Sequence, residues 1–166
     1  SAGIAVLDGG NLKIEKTTER IKNLKDKTDD GKNVGGTIGI GHTRWATHGV
    51  PSFANAHPHT SGDRKFAVVH NGIIENYIQL REELKAQGVE FVSETDTEVV
   101  PQLLQKYYEG DFFAAVAKTV SRLEGSYALG ILCAGCPDTL VAVRKFSPLI
   151  IGLSDKANFI ASDVTA

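Results

Sequence analysis

The residues of this chain that are best suited to chemistry are its histidines. All five lie in one stretch of the sequence, at His42, His48, His57, His59 and His70. Such a cluster suggests zinc, which takes three or four ligands, and the carboxylates available to complete a set are Asp63, Glu94 and Asp96. No spacing among them matches a known metal-ligand motif. We therefore expect these histidines to hydrogen-bond a long loop and to line a polar cleft without a metal. A zinc-dependent hydrolase is kept as a less favoured alternative.

An arginine lies in the densest polar run of the chain, residues 42–49. Because a strand is predicted immediately before this run, Arg44 is well anchored and can grip a carboxylate through two parallel hydrogen bonds. An ordinary surface ion pair is the alternative for Arg44. A core or capping position is the alternative for Trp45, the only tryptophan.

Asn71 and Gly72 follow the next predicted strand. An asparagine amide beside a glycine N–H supplies two donors that converge on one point. An oxyanion hole needs such a pair to stabilise charge that develops on a carbonyl oxygen. Asn-Gly is also a common turn sequence, so a plain turn remains an open interpretation.

A second charged candidate lies in the polar run of residues 93–98, which we expect to open a helix. Helix capping by itself explains serine, threonine and aspartate at such a place. In the functional interpretation, Asp96 faces the cleft and pairs with a substrate ammonium group. Together with Arg44 it would hold both charged ends of an α-amino acid.

The two cysteines, Cys133 and Cys136, form a C-x-x-C pair in a predicted hairpin. One such pair does not complete a zinc site, and a hairpin lacks the helix N-terminus that activates a redox thiol. We interpret the pair as incidental to function.

Composition excludes several classes of protein. With 42% hydrophobic and 23% charged residues among 166, the chain is predicted to be a globular domain rather than a disordered segment. Its net charge of −2 gives no support for binding to nucleic acid or to an anionic membrane. No apolar stretch approaches the length of a membrane span and no signal segment is recognised, so we expect a cytoplasmic location.

The elements that must position these residues follow from periodicity and turn residues. Alternation predicts strands at 2–7, 12–15, 37–42, 66–70, 127–133, 139–143, 149–151 and 159–161. A short helix capped by Thr18 is expected up to Lys27, and longer helices from Ile73 to Leu84, from Val99 to Tyr108 and from Phe112 to Leu123. Strands, then helices, then strands predict an α+β fold with helices packed on antiparallel sheets.

Several segments together resemble one known family, the glutaminase domain of the glutamine–fructose-6-phosphate aminotransferases (isomerizing), also called glucosamine-6-phosphate synthases. The matching segments are residues 42–49, 55–59, 69–76, 93–98, 147–149 and 158–163. The resemblance covers essentially the whole chain, and the Arg-Trp-Ala-Thr-His-Gly and Ala-His-Pro-His runs favour this family over other class II amidotransferases.

The resemblance implies an N-terminal-nucleophile hydrolase fold, a four-layer α/β/β/α sandwich with antiparallel sheets. It implies hydrolysis of the glutamine amide without a cofactor, with the ammonia used to convert fructose 6-phosphate into glucosamine 6-phosphate in hexosamine biosynthesis. Asn71 and Gly72 are then the oxyanion hole. The substrate-binding residues are Arg44 and Thr47 for the α-carboxylate, Asp96 for the α-ammonium, Trp45 in a closing loop, and His48 and His57 near the site.

The chain departs from the family pattern at the nucleophile. The family attacks with an N-terminal cysteine whose own amine serves as the base. Ser1 as the nucleophile is the less favoured alternative, because residues 1–6 align better with an internal strand of the domain. We therefore expect residues 1–166 to be a single, incomplete type 2 glutamine amidotransferase domain that lacks its first strand and helix and the sugar isomerase domains.

Two further expectations depend on that departure. As given, the chain is expected to be inactive, with a non-catalytic glutamine-binding module as the alternative function. In the full-length enzyme, which we expect to be a homo-oligomer, fructose 6-phosphate would bind only through the isomerase domain.

Overall fold

The computed structural model describes residues 1–44 and 52–165. An antiparallel sheet, here sheet A, contains strands β1 (Ala2–Asp8), β2 (Asn11–Thr17) and β3 (Ile38–Thr43) in the order β2-β1-β3. Gly9 and Gly10 both have positive φ in the turn between β1 and β2, which confirms the predicted hairpin.

The short helix α1 (Ile21–Lys27) packs on sheet A and buries Leu24. It does not begin with a Thr18 cap as predicted. Arg20 is the N-cap residue and has no side-chain cap bond. Instead, the hydroxyl of Thr17 accepts a hydrogen bond from the N–H of Glu19 at 3.1 Å.

A second antiparallel sheet, sheet B, has the order β4-β5-β6-β7. Its strands are β4 (His59–Thr60), β5 (Phe66–Ile74), β6 (Gly125–Cys133) and β7 (Leu140–Lys145). Strands β8 (Ile150–Leu153) and β9 (Asn158–Ala161) form a separate antiparallel hairpin.

Three helices cover the outer face of sheet B: α2 (Tyr77–Ala86), α3 (Val99–Tyr107) and α4 (Phe112–Val120). The Asp111 side chain caps α4 by accepting the Ala114 N–H at 3.0 Å, as its position predicts. The main apolar core lies between these helices and the sheet, and its buried residues include Phe66, Val68, Leu80, Leu84, Leu103, Leu104, Phe112, Leu129 and Ile131.

A second, smaller apolar cluster fills the space between the two sheets. Ala5 and Ile40 from sheet A pack against Ala67 and Leu132 from sheet B. The layers therefore run from α1 through sheet A and sheet B to α2–α4, which confirms the expected α+β sandwich. Among the helices of the described ranges, none is both long and apolar enough to cross a bilayer.

The prediction of a turn at Asn71-Gly72 is wrong. Strand β5 continues through both residues to Ile74 and pairs throughout with β6, with Asn71 opposite Ala128 and Gly72 opposite Tyr127. Consequently helix α2 begins at Tyr77 rather than at Ile73. The long ladder with a distant strand outweighs the local turn preference of an Asn-Gly pair.

Candidate active site

A cavity of about 710 Å³ opens where β3, β5 and the segment before α3 meet. Its walls are formed by residues 42–44, 57, 70–73, 77 and 94–97. Five of the expected site residues therefore line one space: Arg44, His57, Asn71, Gly72 and Asp96. Its size suits a small-molecule ligand.

Asn71 is held by a contact between the two sheets. It lies on β5 in sheet B, and its side-chain Oδ1 is 2.7 Å from Nε2 of His42 on β3 in sheet A. An amide oxygen only accepts hydrogen bonds, so Nε2 of His42 carries the hydrogen and donates it. The NH₂ group of Asn71 forms no hydrogen bond to the residues that the structure describes.

Gly72 occupies a position in β5 that other residues do not fit. Its φ is +120°, and a Cβ atom added there would lie 2.1 Å from the carbonyl oxygen of Ser126 on β6. The backbone of β6 therefore approaches Gly72 too closely for any side chain. This close packing fixes the peptide of Gly72 beside the Asn71 side chain.

Asp96 is anchored by the backbone of the same strand. Its Oδ2 accepts the N–H of Ile74 at 2.8 Å, and its Oδ1 lies 3.4 Å from the hydroxyl of Thr97. The Asp96 side chain is 24% exposed, so its carboxylate remains accessible from the cavity. This partial exposure allows the carboxylate to receive a cationic group of a ligand.

The segment that carries Asp96 is shaped by a buried acid, Glu98. Glu98 accepts hydrogen bonds from the Ser93 hydroxyl at 2.6 Å, from the Ser93 N–H at 2.7 Å and from the Val92 N–H at 2.9 Å. The capping interpretation of residues 93–98 is wrong in detail, because Glu98 is the N-cap residue of α3 and makes no side-chain cap bond. These bonds instead close a loop that presents Asp96 to the cavity.

Three histidines, His42, His57 and His70, line the cavity, and His59 forms a hydrogen bond beside them. Nε2 of His57 and Nδ1 of His70 lie 3.2 Å and 2.9 Å from the hydroxyl oxygen of Thr97. Nε2 of His59 lies 3.1 Å from the hydroxyl oxygen of Thr95. Three of the described histidines therefore line a polar cleft, as the sequence predicted.

A glycine makes room for this set of rings. Gly3 on β1 is the ladder partner of His42, and a Cβ atom at Gly3 would lie 2.1 Å from the carbonyl oxygen of His57. With no side chain there, the His57 ring packs on the His42 ring at a centroid distance of 4.2 Å.

Burial keeps these imidazoles neutral. It is the largest cause that lowers the pKa of His42, His57, His59 and His70 below 6.5, and for His59 the pKa falls to about 3. Neighbouring positive groups, including Arg44, lower the pKa of His57 and His59 further. Within the described ranges, no group of three or more His, Cys, Asp or Glu side chains is arranged to hold a metal ion, so those residues give no support to the zinc hydrolase.

Arg44 follows the last residue of β3 and lies at the cavity wall. Its backbone N–H donates to the carbonyl oxygen of Ser1 at 2.8 Å, which extends the pairing of β1 with β3. The other expected substrate-binding residues of this run, Trp45, Thr47 and His48, lie outside the described residues. Their roles remain predictions, as do those of Arg44, His57, Asn71, Gly72 and Asp96.

Cys133 and Cys136 do not line the cavity. Cys133 ends β6, and burial raises the pKa of its thiol to about 11. Such a thiol is protonated at neutral pH and is the opposite of an activated nucleophile.

The cavity residues that the sequence interpretation gave no site role include His42, His70 and Thr97. For His42 a signal was present, because the alternation of β3 places it on the same face as the buried Ile40. For Thr97 no local signal exists, since its partners lie 27 and 40 residues away along the chain.

Comparison with known proteins identifies the family to which this chain belongs. The sequence pattern of the glutamine amidotransferase domain matches residues 42–166. The chain belongs to this family. All the residues that line the cavity fall within the matched range.

Bacterial glutamine–fructose-6-phosphate aminotransferases (isomerizing) are similar to this chain over its whole length. The chain is 57% identical over 166 residues to that of Clostridium acetobutylicum and 55% identical to that of Caldanaerobacter subterraneus. Each alignment covers 100% of this chain and 27% of the relative. The chain therefore spans about a quarter of the length of these curated relatives, and the resemblance stated from its motifs is confirmed.

Solved structures support the fold. The glutamine phosphoribosylpyrophosphate amidotransferase from B. subtilis, complexed with ADP and GMP, superposes with a TM-score of 0.82 at 30% identity. That match covers 97% of this chain and 35% of the other. A glutamine aminotransferase class-II domain protein from Silicibacter pomeroyi has a TM-score of 0.67 at 17% identity and bears on the fold alone. The N-terminal-nucleophile hydrolase type of sandwich is thereby confirmed.

Proposed function

We propose that this chain is the part of a glutaminase that binds glutamine and stabilises the oxyanion of its amide hydrolysis, within an enzyme that makes glucosamine 6-phosphate from fructose 6-phosphate. The observation that carries the proposal is that Arg44, Asp96 and the Asn71-Gly72 pair line the same cavity. A cation, an anion and a pair of amide donors are what the α-carboxylate, the α-ammonium and the amide carbonyl of glutamine require.

The reaction begins with binding. The guanidinium of Arg44 pairs with the α-carboxylate of glutamine, with the help of Thr47. The Asp96 carboxylate, held by the N–H of Ile74, pairs with the α-ammonium. Because both ends of the amino acid are fixed, the carboxamide is directed to Asn71 and Gly72.

The chemical step is attack on the amide carbon. A thiolate adds to that carbon, and the carbonyl oxygen becomes an oxyanion that the Asn71 NH₂ and the Gly72 N–H stabilise. The proton that the cysteine's own amine takes from the thiol passes to the amide nitrogen, so that collapse of this intermediate expels ammonia. Water then adds to the acyl-enzyme, which releases glutamate and restores the thiol. Neither Cys133 nor Cys136 lines the cavity, so we propose that the attacking cysteine belongs to a part of the full-length enzyme other than residues 1–166.

The ammonia is used elsewhere in the protein. We propose that fructose 6-phosphate binds to the part of the enzyme that corresponds to the remaining length of the relatives. In the same proposal, Trp45 belongs to the loop that closes over glutamine. A cytoplasmic homo-oligomer is proposed for the full-length enzyme. Residues 1–166 would form one glutamine amidotransferase domain within it.

The test is glutamine hydrolysis by the full-length protein, measured as glutamate release with and without fructose 6-phosphate. Replacing Arg44 by alanine removes charge-assisted hydrogen bonds and is expected to raise the KM for glutamine about 10- to 100-fold. The control is Arg144→Ala, because Arg144 is exposed on β7 and does not line the cavity. A normal KM in the Arg44 variant would remove Arg44 from the proposed site.

A non-catalytic glutamine-binding module is the second candidate. It is favoured by one observation: the cavity has groups for both ends of an amino acid, but neither cysteine of the chain lines it. Calorimetry with glutamine separates the candidates. Heat of binding without glutamate release supports the module, whereas release supports the glutaminase.

A further inference from the structure

We propose that His42 is a positioning residue for the oxyanion hole: it holds the Asn71 carboxamide with its NH₂ group directed to the cavity. This inference rests on the proposed glutaminase function. It assigns a role to a histidine that the sequence motifs left without one.

The contact joins the two sheets at the cavity. His42 lies near the end of β3 and Asn71 near the end of β5, and Nε2 of His42 is 2.7 Å from Oδ1 of Asn71. This is a short hydrogen bond between a ring N–H and an amide oxygen. Because His42 takes the oxygen, the nitrogen of the amide is left for the cavity.

The amide of Asn71 has two orientations of nearly equal shape. In one, the NH₂ faces the cavity and can stabilise an oxyanion. In the other, Oδ1 faces the cavity and repels it. Within residues 1–44 and 52–165, the bond to His42 is the one side-chain hydrogen bond of Asn71, which is otherwise exposed. His42 is therefore the group that selects the productive orientation.

The donor itself is held in place. The His42 ring packs on the His57 ring at a centroid distance of 4.2 Å, and His57 is held by the hydroxyl of Thr97 at 3.2 Å. Gly3, the ladder partner of His42, provides the space for this packing. A donor on a strand and supported by a second hydrogen-bonded ring is pre-organised for a positioning role.

The direction of the bond does not depend on the charge of the ring. Nε2 carries a hydrogen both in this neutral tautomer and in the imidazolium form. Burial and the nearby Arg44 lower the pKa of His42, while the Asn71 side chain and the His70 carbonyl oxygen act in the opposite direction. At neutral pH the ring thus orients Asn71 without adding a second cation beside Arg44.

The experiment compares three replacements of His42 in the full-length protein. His42→Ala is expected to lower kcat for glutamine hydrolysis about 10- to 100-fold and to change KM less than about 3-fold, since the oxyanion forms only along the reaction. His42→Gln keeps an N–H donor and is expected to recover most of kcat. His42→Glu is similar in size to glutamine but presents only acceptors, and is expected to be at least as impaired as the alanine variant.

A double-mutant cycle shows whether His42 acts through Asn71. In an Asn71→Ala background, His42→Ala is expected to have almost no additional effect on kcat. Equal kcat values for His42→Gln and His42→Glu, or full additivity with Asn71→Ala, would overturn the inference. If His42→Ala fails to fold, the glutamine and glutamate variants, which match in size, carry the test.

Failure of the proposed function gives a different result. If the wild-type protein releases no glutamate, the glutaminase proposal fails. The positioning inference is then decided by crystal structures of the wild type and of His42→Ala. An Asn71 side chain displaced in the variant supports the inference, and one that keeps its place and hydrogen-bonding direction without His42 overturns it.

Discussion

The two halves of strand β5 differ in what they contact. Residues 66–69 pack between the helices and sheet A, and Phe66, Ala67 and Val68 are fully buried. Residues 70–73 line the cavity instead, and Asn71, Gly72 and Ile73 are exposed. Yet both halves belong to one unbroken ladder with β6.

The difference shows how the fold makes a rigid site. The apolar half anchors the strand in the core, and the polar half extends the same ladder to the cavity. Groups on such a strand are held more firmly than groups on a loop, which suits donors that must face a developing charge.

The largest expected loss of stability is at Gly72, where the polar half of β5 packs most closely against β6. Gly72→Ala combines a strained φ of +120° with a Cβ atom 2.1 Å from the Ser126 carbonyl oxygen. We expect a loss of about 4 kcal/mol in the free energy of opening of the β5–β6 ladder, from strain and overpacking together. Hydrogen exchange of the β5 and β6 amides in the full-length protein measures it.

The matched control for this change is Gly88→Ala. Gly88 has a φ of +86° with nothing within 4 Å of an added Cβ atom, so only the conformational cost of about 1–2 kcal/mol remains. If both variants lose the same stability, the close approach of β6 is not what requires a glycine at position 72.

Leu104→Ala tests the apolar region that supports the strand. Leu104 is fully buried in the core beneath β5, and its truncation is expected to cost about 2–5 kcal/mol of stability. Since it does not line the cavity, kcat at a temperature where the variant is folded should stay near the wild-type value.

Ile78→Ala is the control for the core variant, because Ile78 lies on helix α2 but is 62% exposed. Its stability should stay within about 0.5 kcal/mol of the wild type. Equal losses at positions 78 and 104 would contradict the assignment of the core.

Asn71→Ala changes the polar half without disturbing the core. Loss of one oxyanion donor is expected to lower kcat about 100- to 1,000-fold, equivalent to about 3–4 kcal/mol in the activation free energy, with little effect on folding. Steady-state kinetics and a melting curve measure the two quantities. A variant with full activity would show that Asn71 does not contact the reacting oxygen.

The smallest expected effect is a loss of folding stability at acid pH. Because the pKa of His59 is lowered to about 3 in the folded state, the stability it contributes is fully present above pH 6.5 and is lost as the pH falls toward 3. Between pH 7 and pH 5 this one histidine should cost the domain about 2 kcal/mol. Chemical denaturation at the two pH values provides the measurement.

His59→Gln removes this titration and retains a side chain that can bond to the Thr95 hydroxyl, now 3.1 Å from Nε2 of His59. The variant should therefore lose less stability than the wild type over the same pH interval. Parallel pH profiles for the two proteins would mean that His59 is not held neutral by burial.

Local patterns were sufficient for most of the elements. The alternation of β1, β6 and β7 and the aspartate that caps α4 each depend on residues close together in the chain. The prediction failed where a distant partner decided the outcome. Asn71-Gly72 has the composition of a turn, but pairing with residues 127–128 of β6 keeps it extended.

The order of the sequence motifs was sufficient to predict the family and the residue types of the candidate site. The reason is that the groups that bind a charged ligand are specific side chains at specific spacings. What those side chains touch was settled by folding. The His42–Asn71 bond spans 29 residues and the His57–Thr97 bond spans 40, and each joins elements that meet only after the sheets and helices have packed. Hydrogen bonds act over about 3 Å, so contacts between segments so far apart in the chain are set by packing rather than by local sequence preference.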